Sequence, residues 1–324
     1  MNDKPDPRLR TSMGLVLLAC VPGLLVLFWL HGWGLLLNLL LCASAALLCE
    51  ALLLALRAQP VSSALNDGSA LVTAVLLAAA LPALAPWWLP VVAASVAIGI
   101  GKQAFGGVGR NLFNPAMVGY AFVLLSFPLH MNHWPGPAPG LLDSLQQVFA
   151  GGGQIDAWAR PTLLDGLRHN RSLTIEELFA SHPGFGSIGG RGSEWANLAF
   201  LVGGLFLLQR KVISWHAPLG LLAGLSLFSL LGWNGSGSDS NGSPLLHLFS
   251  GSTMMAAFFI ATEPVSGPRH EWARLLFGLG AGLLIYLIRT WGSYPDGTAF
   301  AILLMNLMAP SLERLAVQRQ QASK

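Results

Sequence analysis

Charged residues are scarce in this chain of 324 residues: Asp, Glu, Lys and Arg make up 10% of it, whereas a soluble domain carries about 25%. Hydrophobic residues make up 53%. A water-soluble globular domain is therefore excluded, and the composition indicates a polytopic membrane protein. The net charge of +3 is small and says little about partners by itself, since in a membrane protein the position of the charges matters more. We expect no nucleic-acid partner.

Cysteine is almost absent as well. The three cysteines, Cys20, Cys42 and Cys49, all lie in apolar runs, without a Cys-x-x-Cys or Cys/His spacing. We therefore interpret them as small core residues and expect no disulfide, zinc site or iron–sulfur cluster held by this chain. The sequence also lacks a P-loop and a glycine-rich motif following a strand, so it does not indicate nucleotide binding through either motif.

Long apolar runs dominate what is present, and their length predicts an all-α fold of about ten transmembrane helices. The predicted spans are 13–30, 34–56, 69–87, 88–104, 115–128, 195–209, 213–232, 246–263, 274–290 and 298–311. The chain then divides into an N-terminal membrane repeat (1–128), a polar loop (129–194) and a C-terminal membrane repeat (195–324).

The distribution of basic residues predicts the orientation. With the N-terminus in the cytoplasm, 13 of the 18 Lys and Arg residues fall on the cytoplasmic side. The other five are Arg160, Arg168, Arg171, Arg191 and Arg289. Because short cytoplasmic loops carry the excess of positive charge, we expect both termini in the cytoplasm and the loop 129–194 outside it.

Two apolar segments are interrupted in the same way, one in each half. Gly106–Pro128 and Gly292–Pro310 each place Gly, Pro, Asn or Asp before an apolar run of only about a dozen residues, where a span needs roughly 20. Such breaks are tolerated when they are buried in protein or line a wet cavity. The segments starting at Asp67 and Ser250 also resemble each other, which predicts two inverted five-helix repeats, as in many transporters.

Carboxylates in or beside the predicted spans are functional candidates, because burying an ionisable group is costly. They are Glu50, Asp67, Glu194, Glu263 and Asp296. Structural roles stay open for three of them: a helix cap for Asp67, solvation at the interface for Glu263 and a satisfied hydrogen bond for Glu50.

Other polar residues have two interpretations each. Arg289 either extends outward to the interface or pairs with Asp296. Three amides, Asn111, Asn114 and Asn306, either form interhelical hydrogen bonds or coordinate a hard cation through oxygen. The spacing of the loop histidines fits no zinc template; these are His130, His133, His169 and His182.

Three segments together resemble a known family. They are GKQAFGGVGRNLFNPAMVGY from Gly101, AAFFIATEPVSGP from Ala256 and YLIRTWGSYPDGTAFAILLMNLMAP from Tyr286. The chain resembles, over about residues 13–312, the RnfD family, the D-type subunits of the Rnf ion-translocating electron-transport complex. That family is similar to the B-type subunits of the sodium-pumping NADH:quinone reductase.

The resemblance implies a multi-pass subunit in the bacterial inner membrane, assembled with other Rnf subunits. It would serve as an electron carrier in a translocase rather than as a complete enzyme. The complex would couple electron transfer between ferredoxin and NAD to movement of Na⁺ or H⁺. A stand-alone secondary transporter and a structural subunit without a redox role remain alternative interpretations.

The resemblance also implies FMN bound covalently, as a phosphoester of a threonine, by a flavin transferase that recognises approximately Asp-x-x-Ser/Thr-Gly-Ala-Thr. The loop sequence IDAWARPTLLDG places Asp156 six residues before Thr162, which makes Thr162 the attachment residue. Three of the five positions between them depart from the pattern. Ala159 replaces the hydroxyl residue, Arg160 the Gly and Pro161 the Ala. A second, non-covalent flavin, as in the related reductase subunit, has no residue assigned to it.

Overall fold

The computed structural model describes residues 7–132, 134–135, 139–150, 159–160, 162–170, 172–238, 240–294 and 296–322. It confirms an all-α polytopic membrane protein. The chain divides into two compact units, Met1–Ala159 and Arg160–Lys324. The division falls inside the segment 129–194, and the three predicted domains stay a prediction.

The first unit is built from apolar helices joined by short connections. Its helices are α1 (Pro7–His31), α2 (Trp33–Leu56), α3 (Val61–Leu65), α4 (Ser69–Ala80), α5 (Trp88–Val96), α6 (Pro115–Ser126), α7 (Pro128–Met131) and α8 (Leu141–Ala150). Helix α5 continues as a π-helix, Ala97–Lys102, and a 3₁₀ turn, Gln103–Phe105. Two-residue strands lie at Trp134–Pro135 and Ala159–Arg160.

Prolines shorten two of the predicted spans in this unit. The third was predicted to end at residue 87, but α4 ends at Ala80 because Leu81 precedes Pro82 and is extended (φ −84°, ψ 148°). The fifth was predicted to reach residue 128, but α6 ends at Ser126, and Phe127 leaves the helix before Pro128. In both cases the proline ring disfavours helical geometry in the residue before it.

Helix α6 begins after a glycine-rich turn, as the interrupted sequence indicates. Three glycines in this turn have left-handed backbone angles: Gly106 (φ 102°), Gly107 (φ 93°) and Gly109 (φ 84°). Asn114 then caps α6, because its side-chain oxygen accepts the N–H of Met117 (3.2 Å). The first interrupted segment is therefore a short helix of 12 residues entered through a turn that only glycine forms easily.

The second unit contains the remaining helices. They are α9 (Leu163–His169), α10 (Ile175–Ser181), α11 (Ser193–Gln209), α12 (His216–Leu231), α13 (Pro244–Leu248), α14 (Thr253–Met255), α15 (Glu271–Trp291) and α16 (Thr298–Ala322). A π-helix, Ala256–Ile260, follows α14.

Two predictions for this unit were wrong. The predicted span 246–263 is not one helix, because the chain turns between α13 and α14, where Gly251 has a φ of +60°. The predicted span 298–311 was too short. Helix α16 runs through Pro310 to Ala322, since a proline inside a helix removes one hydrogen bond without always ending the helix.

Glycines bring α12 and α15 into close contact. A Cβ atom on Gly220 or Gly224 would overlap the carbonyls of Leu275 or Leu279, and one on Gly282 would overlap that of Leu221. Small residues four apart allow two membrane helices to approach until their backbones touch. This pair forms the tightly packed part of the second unit.

Among the residues that the structure describes, five helical segments are long and apolar enough to cross a membrane. They are Arg8–His31, Trp33–Leu56, Trp88–Phe105, Glu271–Trp291 and Thr298–Gln321. Three shorter apolar helices accompany them: Ser69–Ala80, Pro115–Ser126 and His216–Leu231. Short helices of this kind cannot span alone and depend on neighbours to satisfy their exposed backbone groups.

Candidate functional site

Thr162, the predicted flavin-attachment residue, is half-buried and caps helix α9. Its Oγ1 accepts the N–H of Asp165 (3.3 Å) and its hydroxyl donates to Asp165 Oδ2 (3.1 Å). Ala159–Arg160 are extended before it, as expected next to Pro161, although Pro161 and Asp156 lie outside the described residues. A threonine hydroxyl held on the rim of a small helix is therefore the group present at this site.

A small apolar cluster supports that helix. Leu163 and Leu164, the two residues after Thr162, are buried with residues from three other parts of the second unit. Those residues are Leu178, Phe185 and Leu246. Because Leu246 belongs to α13, this cluster fixes the Thr162 region to the segment that leads into α14.

Two titratable groups stabilise the loop around this cluster. Thr174 and Glu177 form a capping box at α10; the Thr174 N–H donates to Glu177 (2.7 Å) and holds the pKa of Glu177 below its ordinary value. The His182 ring packs against Gly166 and accepts the N–H of Gly184 (3.1 Å). Partial burial lowers the pKa of His182, so the folded loop favours the neutral ring.

Glu194, a predicted candidate, locks the end of the same loop. Its Oε2 accepts the N–H groups of Ser187 (3.0 Å) and Ile188 (3.1 Å) and the Ser187 hydroxyl (3.2 Å). A carboxylate that accepts several backbone N–H groups is well satisfied. We assign Glu194 a structural role.

Buried charges meet in the first unit around Glu50, which is fully buried. Glu50 Oε1 contacts Lys102 Nζ at 2.5 Å and accepts Gln103 Nε2 at 2.8 Å. Lys102 Nζ also donates to Ser69 Oγ (2.7 Å), which donates to Asp67 Oδ1 (2.5 Å). These contacts form one continuous line of polar groups, called here the Glu50 chain, whose members are Glu50, Lys102, Ser69 and Asp67.

The change from π-helix to 3₁₀ turn places both Lys102 and Gln103 against Glu50. Residues that are adjacent in a regular α-helix point about 100° apart, whereas here both side chains reach one carboxylate. Single π-turns are frequent at functional sites. Sequence reasoning counted Lys102 among the cytoplasmic charges and missed this contact; the structure leaves it 3% exposed.

Structural interpretations hold only in part for Asp67 and Glu50. Asp67 is not the N-cap of α4, which is Gly68, but from the position before it Asp67 Oδ1 accepts the N–H of Ser69 (2.7 Å), the first residue of the helix. Glu50 does not have the satisfied hydrogen bonding that was one interpretation, because Oε2 has no hydrogen-bond partner among the described residues.

The second unit holds a different ion pair, in which Arg289 is buried and Asp296 is half-buried. Arg289 NH2 contacts Asp296 Oδ1 at 3.2 Å, as one of the two interpretations had it. Ser252 donates its N–H (3.0 Å) and hydroxyl (2.8 Å) to Asp296 Oδ2, and Thr298 donates its hydroxyl to Oδ1 (2.8 Å). Arg289 also donates to the carbonyl of His247 (2.8 Å). This pair connects the turn before α14 to the start of α16.

The remaining candidates make short-range or interhelical contacts. Glu263 Oε2 accepts the N–H (2.7 Å) and hydroxyl of Ser266, and Asn306 Nδ2 donates to the Ser266 carbonyl (3.2 Å). Asn111 Nδ2 donates to the carbonyl of Phe113 (3.1 Å). Within the described part of the chain, no group of three His, Cys, Asp or Glu side chains is arranged to hold a metal ion.

Comparison with known proteins gives a consistent result. Residues 4–322 match the model of the NQR2, RnfD, RnfE family. The D-type subunit of the ion-translocating oxidoreductase complex from Pseudomonas paraeruginosa (strain DSM 24068 / PA7) is 62% identical over 309 residues, covering 94% of this chain and 90% of the relative. Proteins of the same name are 44% identical in Cellvibrio japonicus (97% and 92% covered) and 45% identical in Escherichia coli O127:H6 (93% and 91% covered).

Proposed function

The chain belongs to the NQR2, RnfD, RnfE family, and from that premise we propose that it is the D-type subunit of an Rnf-type complex. It is a membrane subunit of an ion-translocating oxidoreductase. In our proposal the complex transfers electrons between ferredoxin and NAD and moves Na⁺ or H⁺. Its relatives share the name of a subunit of an oxidoreductase complex. This name supports a role within a complex rather than that of a stand-alone transporter.

We propose that Thr162 carries FMN as a phosphoester formed by a flavin transferase. A bound flavin supplies the redox chemistry, and the protein supplies its position. The position of the hydroxyl carries this proposal: Thr162 is half-buried and lies at the cap of α9. An ester oxygen there can still accept the Asp165 N–H, whereas the hydroxyl bond to Asp165 Oδ2 is lost.

The Asp165 carboxylate is a charged group close to the proposed phosphoester and has to move when the ester forms. It lies 3.1 Å from Thr162 Oγ1, and a phosphoester would bring a second negative charge close to it. We expect the Asp165 side chain to turn away from the modified residue. The cluster of Leu163 and Leu164 beneath α9 keeps the backbone in place while this happens.

Four chains separate the attachment role of Thr162 from its capping role: wild type, Thr162→Ser, Thr162→Asn and Thr162→Ala. Each is produced with a flavin transferase and examined for ultraviolet fluorescence on a denaturing gel. Serine keeps both the hydroxyl and the cap, so flavin should remain. Asparagine keeps the cap without the hydroxyl, so the loop should stay folded while the flavin band disappears.

Alanine removes both functions and should also cost about 1 kcal/mol of local stability through loss of the cap. Mass analysis of the Thr162 peptide identifies the modification. A wild-type peptide without FMN in the presence of the transferase, or a fluorescent Thr162→Asn band, would contradict the proposal.

A further inference from the structure

Glu50 has an unusual position for a carboxylate. It lies six residues before the end of α2 at Leu56, or about 9 Å along the helix axis, and it is fully buried. Oε1 has two donors, but Oε2 has no hydrogen-bond partner among the described residues. A buried polar atom without a partner is costly and is rarely left so in a native protein.

Two other carboxylates, the half-buried Asp296 and the buried Glu194, show what a structural role looks like. Asp296 uses both oxygens, with donors from Ser252, Thr298 and Arg289. Glu194 holds two backbone N–H groups. Within the part of the chain that the structure describes, Glu50 Oε2 is the one buried carboxylate oxygen without a partner. A structural role in hydrogen bonding therefore accounts for the positions of Asp296 and Glu194 but not for that of Glu50.

Charge along the Glu50 chain is also unbalanced. It contains two carboxylates, Glu50 and Asp67, and one ammonium group, Lys102. Arg57 lies close by, but its hydrogen bonds go to the carbonyl (2.8 Å) and Oε1 (3.4 Å) of Gln103. A buried group of charges is stable when its charges are paired. The Glu50 chain has one negative charge more than it has positive charges, so one further cation would neutralise it.

Lys102 is placed to serve either carboxylate. Its ammonium contacts Glu50 directly and reaches Asp67 through the Ser69 hydroxyl. A small movement of this flexible side chain toward Asp67 would leave Glu50 unpaired. Because an uncompensated buried carboxylate is strongly unfavourable, that state requires a cation at Glu50.

We propose that Glu50 is a binding site for the translocated monovalent cation, Na⁺ or H⁺, and that Lys102 is its resident counter-cation. The proposal rests on the proposed function. The cation binds at Oε2 as Lys102 moves toward Ser69 and Asp67, and it leaves when Lys102 returns to Glu50. One positive charge replaces another at Glu50 in each exchange. With Na⁺ no covalent bond changes, whereas with H⁺ an O–H bond forms at Oε2 on binding and breaks again on release.

The test uses the assembled complex in inverted membrane vesicles driven by its electron donor. Sodium-22 uptake, internal acidification and electron transfer are measured together, giving the number of each ion moved per electron. In wild type the two ion measurements identify the cation. In Glu50→Gln, which keeps the bond to Gln103, ion movement per electron should fall by about tenfold or more, while the flavin content is unchanged.

The double variant Glu50→Gln/Lys102→Met separates an ion site from a structural ion pair. It buries no charge at these two positions, and such replacements are often neutral or stabilising, so it should assemble even if a single variant does not. Our proposal predicts that it also loses ion movement. A merely structural pair would instead allow normal ion movement once both charges are gone.

Asp143→Asn provides a matched control, since Asp143 is an exposed carboxylate in α8 of the same unit; its ratio of ions to electrons should equal that of wild type. Normal ratios in both Glu50→Gln and the double variant would overturn the assignment of Glu50. This outcome is distinct from failure of the proposed function, in which the wild-type protein would carry no flavin on Thr162.

Discussion

At the scale of single residues, the sequence indicated the Arg289–Asp296 pair but did not indicate the partner of Glu50. Glu50 and Asp67 could be selected because ionisable residues are rare in apolar runs. Lys102 could not be linked to Glu50, since the two lie in different helices 52 residues apart. The contact depends on a π-turn, which the apolar pattern of the sequence does not indicate.

His182 offers a prediction about pH. Burial lowers its pKa, so its neutral form stabilises the loop fully above its unfolded pKa of about 6.5. This contribution is lost as the pH falls from that value toward the folded pKa. Because the intrinsic exchange of amide hydrogens is slower at pH 5, the comparison uses protection factors, and we expect those of the segment 163–185 to be lower at pH 5 than at pH 7.5.

His182→Gln removes the titrating group and should weaken that difference. The exposed His169 lies in the same region, and its Nδ1 is 2.9 Å from the Asp165 carbonyl oxygen, so His169→Gln is the matched control. An equal pH response in wild type and His182→Gln would show that another group is responsible.

At the scale of helices, proline and glycine determine where the apolar pattern stops being informative. Alanine and leucine continue through 69–87, so hydropathy alone extended this helix beyond Ala80. The signal that was available was Pro82, which forces Leu81 out of helical geometry. At Pro310 the same residue type lies inside α16 and does not end the helix. The positions of proline and glycine therefore marked where a helix could end, but they did not decide at which of these positions a helix does end.

The contact between α12 and α15 leads to a prediction on stability. Gly282→Ala places a methyl group against the Leu221 carbonyl and the Leu225 nitrogen, so we expect a loss of about 1–3 kcal/mol from overpacking. The thermal midpoint should fall by about 2–4 °C for each kcal/mol. Thermal unfolding of the purified protein in detergent measures this change.

Gly14→Ala in α1 is the control, because a Cβ atom there has no neighbour within 4 Å. Alanine is the better helix former by about 1 kcal/mol, so the control should be neutral or stabilising. A Gly282→Ala protein as stable as wild type would mean that α12 and α15 separate easily.

At the scale of the whole molecule, the membrane orientation rests on charge. Lys102 is buried on Glu50 and so does not contribute to the surface charge, but the remaining basic residues keep the same bias. Exposed tryptophans lie at both ends of the predicted spans, as interfacial residues do, and so fit the spans without favouring one orientation. They include Trp87, Trp195, Trp233 and Trp291. We therefore keep the prediction that the termini are cytoplasmic and the loop with Thr162 is not.

Cysteine labelling in intact cells tests this orientation. Ser172 and Gln318 are exposed, and the native Cys20 and Cys42 are buried while Cys49 is half-buried, so a Cys49→Ala background leaves little competing reaction. A membrane-impermeant maleimide should label Ser172→Cys in intact cells with a permeable outer membrane. It should label Gln318→Cys only after lysis, because the positive charges near the C-terminus favour the cytoplasm. The reverse pattern would place Thr162 in the cytoplasm and overturn the orientation.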